Sequence, residues 1–319
     1  MTGWSAAVIA AGLMCCPAGL CAQQRTAYVT NQGSETVSVV DLTAWKVTAE
    51  IKVTGKPAGV ARSLTAKRVY VTAPEAQDVA VIDSDTHTIV RRIAVGGGPL
   101  GIAAHPSNGL IYVADWYSTR LTVVDPEAGA IAGNVEVGKS PSGVAVTPDG
   151  RLVLTADRES NSVSFVDTAT FKRVAQIGVG QRPFGITISA DGLLAYTANV
   201  GSDDVSVIDV AARSVVATLP VGRRPYAIAL APGRAFVTDQ YGGTVTVLDT
   251  LTRLKIATVP VGDHPEGIDY DGENQMIYVA CWFDNTLVRI DAKTLKVSGK
   301  ADVGDGPRAF GAFLGLLGR

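Results

Sequence analysis

Several things are scarce in this 319-residue chain, and each scarcity excludes a class of protein. It has three histidines, seven phenylalanines and four cysteines, and only 18% of its residues are charged. Three of the cysteines, Cys15, Cys16 and Cys21, fall in the uncharged N-terminal stretch that runs from Trp4 through Pro17 to the small residues before Gln23. That stretch reads as a secretory signal peptide cleaved after Ala22, too short for a membrane span. The mature chain, 23–319, then keeps Cys281 alone and has no internal disulfide to hold it together. No later segment is apolar for long enough to cross a bilayer as a helix, and the expected location is periplasmic or secreted. A formal net charge of −2 gives no global cationic field of the kind that drives nonspecific nucleic-acid binding. Three histidines with no shared neighbourhood offer no zinc, copper or haem cluster, and no nucleotide loop or nucleophile elbow occurs, so the sequence calls for no cofactor and no metal and assigns no catalytic residue.

What is present is glycine, 34 residues, with 15 prolines and 47% hydrophobic residues. These are phased. Val37–Asp41, Val79–Asp83, Leu121–Asp125, Val163–Asp167, Val205–Asp209, Val245–Asp249 and Leu287–Asp291 are one motif seen seven times, its aspartates spaced by 42 residues except once by 40. Pro57, Pro99, Pro141, Pro183, Pro225, Pro265 and Pro307 repeat with the same spacings. Each unit holds four short β-branched runs separated by turn residues and shows no helical periodicity. A period of about 42 with four strands per unit predicts an all-β, seven-bladed β-propeller of four antiparallel strands per blade, one domain and a monomer. The chain enters at a second strand, Ala27–Thr30, and ends on an inner-type strand, Arg308–Leu314. The C-terminal strand is therefore expected to join the N-terminal three and close the ring, 3+1.

Tyr28–Asn31 (Tyr-Val-Thr-Asn), Tyr70–Thr72, Tyr112–Ala114 and Tyr196–Asn199, with the Val-x-Val-Ile-Asp and Val-Gly-x-x-Pro-x-Gly signatures, resemble the YVTN β-propeller repeat over Ala27–Leu314. The resemblance implies relatives among archaeal surface-layer proteins, periplasmic YncE-like proteins associated with single-stranded DNA, and propellers encoded beside quinoprotein dehydrogenases. It implies a scaffold more than an activity.

The repeated residues are scaffold: the seven aspartates cap tight turns through Asx-type bonds, and the prolines and glycines preset loops near a crowded axis. Function is sought in the departures. The loops around each phased proline and those between second and third strands emerge on one face. They bring Arg182, Arg223, Arg224 and Arg308 there for an anion, and Trp116, Tyr117, Phe184, Tyr226, Tyr241, Trp282 and Phe283 for planar groups. Asn31, Asp115, Asp157, Arg158, Asn199 and Cys281 are placed on the same face with their loops. The competing reading is solvated loops with aromatics wedged between blades.

Blade 7 departs most. Asp269 and Arg289 replace apolar residues of the repeat and are expected to pair, because an unpaired interior charge is costly. His264, Glu266 and Cys281 lie nearby, and Cys281 as a nucleophile would have His264 as its only base on that face; the competing reading is an inert buried thiol. Three functions follow: a non-enzymatic scaffold binding a protein partner or an anionic planar ligand, a single-stranded DNA binder, and a metal-dependent lactonase- or lyase-like hydrolase drawing on Glu266, Asp157 and Asn199.

Overall fold

A computed structural model of the chain describes Met1, 25–63 and 66–315; Met1 apart, the leader expected over 1–22 lies outside the described residues. Among the described residues no helix is long and apolar enough to cross a membrane. The fold is a seven-bladed β-propeller of four antiparallel strands per blade, with one 3-10 turn at Arg158–Ser160. Blade 1 comprises Thr26–Asn31, Thr36–Asp41 and Lys46–Lys52 with Leu314–Gly315 as its inner strand. Blades 2 to 7 follow over 59–94, 99–136, 141–178, 183–220, 225–260 and 265–302.

The burial of each strand follows from its place in the blade. Second and third strands are sandwiched between neighbouring blades on both faces, and runs such as Asp78–Asp83 (Asp-Val-Ala-Val-Ile-Asp) are buried continuously in their middle. Outer strands face solvent, and Lys46–Lys52 alternates polar and apolar residues accordingly. At the axis the inner strands approach so closely that side chains are excluded. A Cβ on Gly101 would sit 1.8 Å from the carbonyl oxygen of Ser142, and one on Gly59 2.0 Å from that of Leu100.

The repeated aspartates cap turns, as expected. Asp41 Oδ1 accepts the backbone N–H groups of Thr43 and Ala44, both at 2.8 Å, and Asp291 those of Lys293 and Thr294. Asp83, Asp125 and Asp249 do the same, and Asp167 and Asp209 accept the N–H groups of Thr170 and Ala212. In Asp83, Asp249 and Asp291 these N–H donors hold the carboxyl below its ordinary value.

Ring closure is 3+1 but differs in detail from the expectation. Instead of one strand over Arg308–Leu314, Phe310–Gly311 pairs in parallel with Gly59–Val60 of blade 2, and Leu314–Gly315 pairs with Thr26–Ala27 of blade 1. Gly311, at φ +120°, makes the break between the two segments possible. The Asp269–Arg289 pair does not form. Tyr278 lies between them in the register, and the Arg289 guanidinium turns outward onto the Trp45 ring of blade 1 at 4.6 Å. Asp269 Oδ2 instead accepts the Leu314 N–H at 3.2 Å, while Arg62 of blade 2 donates to the Leu314 carbonyl at 3.3 Å. Both departures of blade 7 thus serve the closing seam, which a salt bridge from Arg25 to Asp271 reinforces.

The second-strand termini are buried inside their blades rather than displayed on the face. Asn31, Asp157, Asn199 and Asp239 are fully buried and bond the hydroxyls of their own third strands, through Ser38, Ser164, Ser206 and Thr246 respectively. Burial raises the Asp157 carboxyl to about 6 against the bonds from Ser164, Thr155 and the Gly138 N–H. A folded-state value above the unfolded one, about 3.9, means that stability is complete below about pH 4 and is lost as pH rises through about 6. Asp157→Asn installs the residue that blades 1 and 5 carry at this place. It is expected to raise stability by roughly 2–3 kcal/mol above pH 7 and to leave it nearly unchanged at pH 4. Thermal denaturation across that range checks this; an equal shift at both ends would show that desolvation of the charge is not the cause.

Candidate functional site

The residue after each phased proline lies at or just before the start of an inner strand, so Ala58, Leu100, Ser142, Phe184, Tyr226, Glu266 and Arg308 encircle the axis on one face. Six of these belong to one buried cluster or to a buried ion pair, and together they close the central channel. The Phe184 and Tyr226 rings are 4.3 Å apart. Phe310 lies 4.9 Å from Phe184 and 5.5 Å from Tyr226, although its segment pairs with the inner strand of blade 2, so its ring reaches across the axis and plugs it. Beside the plug Arg308 Nε stands 2.9 Å from Glu266 Oε2, and Gln240 donates to Glu266 Oε1 at 2.7 Å. Burial raises the Glu266 carboxyl, with Arg308 and Gln240 opposing. The Tyr226 phenol is buried beside this pair; burial and the Glu266 carboxylate raise it, and Arg308 opposes.

Above the plug opens a mouth of about 310 Å³ whose wall includes Trp116, Tyr117, Phe184, Tyr226, Arg158, Arg224 and Arg308. Trp116 packs edge-on against Phe184 at 5.6 Å, and Arg158 lies over the Trp116 ring at 5.2 Å. Arg224 stacks on Tyr241 at 4.5 Å and Arg308 on Trp282 at 4.8 Å. Glu159 is the carboxylate that meets this group, paired with Arg158 and 4.0 Å from Arg182. Burial lowers the Arg158 guanidinium; Glu159 opposes, and the like charges of Arg182 and Arg224 add to the lowering. The three cations therefore feel one another with one carboxylate between them.

A backbone device presents these side chains. Arg182, Arg224 and His264 each precede a phased proline and sit in the left-handed region, at φ 52°, 52° and 51°. Lys56, Ser140 and Gly306 do likewise at φ 59°, 51° and 63°. Such a conformation costs about 1–2 kcal/mol for a residue with a Cβ.

The residues expected on the face divide into groups. Arg182, Arg223 and Arg224 line an annex of about 250 Å³ beside the mouth. His264, Tyr241 and Phe283 form a separate stack on the rim, with His264 5.1 Å from Tyr241, 4.4 Å from Phe283, and its Nδ1 2.7 Å from Asp263. Glu266, expected on the face, is 2% exposed and committed to Arg308 and Gln240. Asp157 and Asn199 are engaged inside blades 4 and 5, so the acidic trio of the hydrolase reading does not converge. Among the described residues no cluster of three His, Cys, Asp or Glu side chains could hold a metal ion. Sequence reasoning placed Arg158 on this face but left it out of the cationic set, and it missed Phe310, which stands where other inner strands carry Val or Ile.

Cys281 is fully buried, and burial pushes its thiol up to about 12. A thiol so raised holds almost no thiolate at neutral pH. Iodoacetamide at pH 8 is expected to leave the folded protein unmodified and to alkylate Cys281 in denaturant; mass spectrometry reads both, and modification of the folded chain would restore the nucleophile reading.

The sequence profile of the Cytochrome D1 heme domain family matches residues 20–144. Among solved structures, Kuenenia stuttgartiensis hydrazine synthase superposes with a TM-score of 0.76 at 21% identity, covering 83% of this chain and 91% of that one. At that identity the likeness concerns the fold. No curated protein sequence matches the chain.

Proposed function

We propose that the protein is a non-enzymatic binding scaffold, exported by the leader expected over 1–22, whose mouth holds an anionic, planar ligand or the acidic, aromatic segment of a protein partner. The observation that carries this is the set Arg158, Arg182 and Arg224, of which the first two meet Glu159 and the third has no ion pair among the described residues, around a mouth walled by Trp116, Phe184 and Tyr226. Guanidinium forks bind anions bidentately, aromatic faces accept flat rings, and a concave site with few polar groups is the usual form of a ligand pocket. The Tyr-Val-Thr-Asn repeats support placing the chain with YVTN propellers.

The likeness to a Cytochrome D1 heme domain raises haem as the flat ligand, and the described residues do not fit it. The axis is filled by Phe184, Tyr226 and Phe310. Within the matched segment His87 contacts the Tyr28 hydroxyl and His105 the Gly150 carbonyl, neither lining the mouth. A mouth of about 310 Å³ suits a ligand of two or three fused rings rather than a macrocycle. A second reading, single-stranded DNA, draws support from Tyr117, Phe283 and Tyr241, which are 78%, 61% and 46% exposed around the arginines.

Calorimetric titration with a naphthalene disulfonate and with a short oligothymidylate separates these readings. The disulfonate is expected to bind, and Arg224→Gln or Trp116→Ala to weaken it about tenfold, the equivalent of one charge-assisted contact. Binding of the oligonucleotide alone, with steep salt dependence, would select the second reading, and binding of neither would sink both.

A further inference from the structure

Two cavities on the binding face adjoin, sharing Val200 and Arg224 in their walls. The mouth is aromatic on its walls. The annex is not: its side chains are Arg182, Arg223 and Arg224 with Val200 and Asp203. Asp203 is already engaged, its Oδ1 accepting the Arg224 backbone N–H at 2.7 Å. Among the described residues neither Arg223 nor Arg224 has a carboxylate within ion-pair distance, and Arg182 reaches Glu159 only at 4.0 Å. Arg224 Nε is buried with no hydrogen-bond partner. Three arginines that line one recess outnumber the carboxylates beside them, Asp203 and Glu159, by one, and a phosphate monoester brings a charge of about −1.5 to −2 and three acceptor oxygens.

The backbone sets the direction of two of these side chains. Arg182 and Arg224 are both held in the left-handed region. Glycine would occupy those places without strain, as it does at Gly306 before Pro307. Lys56, Ser140 and His264 share the conformation, so it belongs to the loop and fixes where the two arginine side chains start. At the far side of the mouth, Gln240 and Arg308 offer hydrogen-bond donors to a ring edge.

Resting on the reading proposed above, we infer that mouth and annex form one bipartite site for a phosphorylated flat heterocycle, its ring between Trp116 and Tyr226 and its phosphate held by Arg182, Arg223 and Arg224. The arginine shared by both cavities, Arg224, couples the two halves.

Riboflavin and FMN differ only in the phosphate, and the quenching of flavin fluorescence by the full chain reads their binding. FMN is expected to bind at least tenfold tighter than riboflavin, and Arg223→Gln to reduce the FMN-to-riboflavin ratio to about one. Arg224→Gly is expected to weaken FMN while the thermal midpoint stays equal or rises, since strain is relieved. Equal binding of both flavins overturns the annex assignment and leaves the mouth reading standing. Failure of both flavins while the naphthalene disulfonate binds overturns the heterocycle assignment alone, and failure of all three overturns the underlying reading as well. A lowered midpoint in Arg224→Gly would show that this arginine supports the fold, and would likewise count against the inference.

Discussion

Leu314 fastens the ring through two neighbours at once. Its N–H goes to Asp269 of blade 7, its carbonyl to Arg62 of blade 2, and its strand pairs with Ala27 of blade 1. A two-residue strand is a weak ladder taken alone, and these side-chain bonds supply what the ladder lacks. Trp45 adds to the same seam, donating to the Lys300 carbonyl at 3.2 Å while its ring carries Arg289. Every radial position on the binding face depends on this fastening. Arg308 and Phe310, which supply half of the buried ion pair and the axial plug, belong to the segment that closes the ring. Whatever binds against Arg308 therefore also favours the closed ring, by the ordinary linkage between ligand and folded state.

The electrostatics of the face are local. A net charge of −2 describes the whole chain, yet Arg158, Arg182 and Arg224 gather where Glu159 is their carboxylate neighbour. Elsewhere carboxylates are occupied with structure: turn aspartates hold backbone amides, Asp115 ties Arg120 and the Gly98 N–H, and Asp239 ties the Gly222 N–H. Much of the negative charge is thus spent on the scaffold, and the positive surplus surfaces at the mouth.

Features repeated in phase were legible in the sequence because a repeat states the same local physics seven times. The blade count, the Asx turns, the close packing at the axial glycines and the closure by the C-terminal segment all belong to that class. The face was legible as a set of loops, and Arg224, Phe184 and Tyr226 line one mouth with Arg182 in the recess beside it. What failed depended on contacts between blades far apart in the chain. Asp269 and Arg289 looked like partners because both replace apolar residues in one blade, but each answers a neighbour across the seam, Leu314 and Trp45. Phe310 crosses the axis to Phe184, and no linear spacing records a contact through the centre of a ring. Glu266 read as a face residue because its loop lies on the face; its side chain turns beneath, to Arg308.

The left-handed residues before the prolines have a consequence for how such a protein can change. Their unfavourable geometry is a property of the loop and not of the side chain it carries, since Lys56, Ser140, Arg182, Arg224 and His264 share nearly one φ. Replacing one of these with another alters the chemistry at the opening while the sheets behind it keep their register. The propeller is in that sense a fixed wheel with exchangeable pegs. Specificity can drift one peg at a time without passing through an unfolded intermediate sequence.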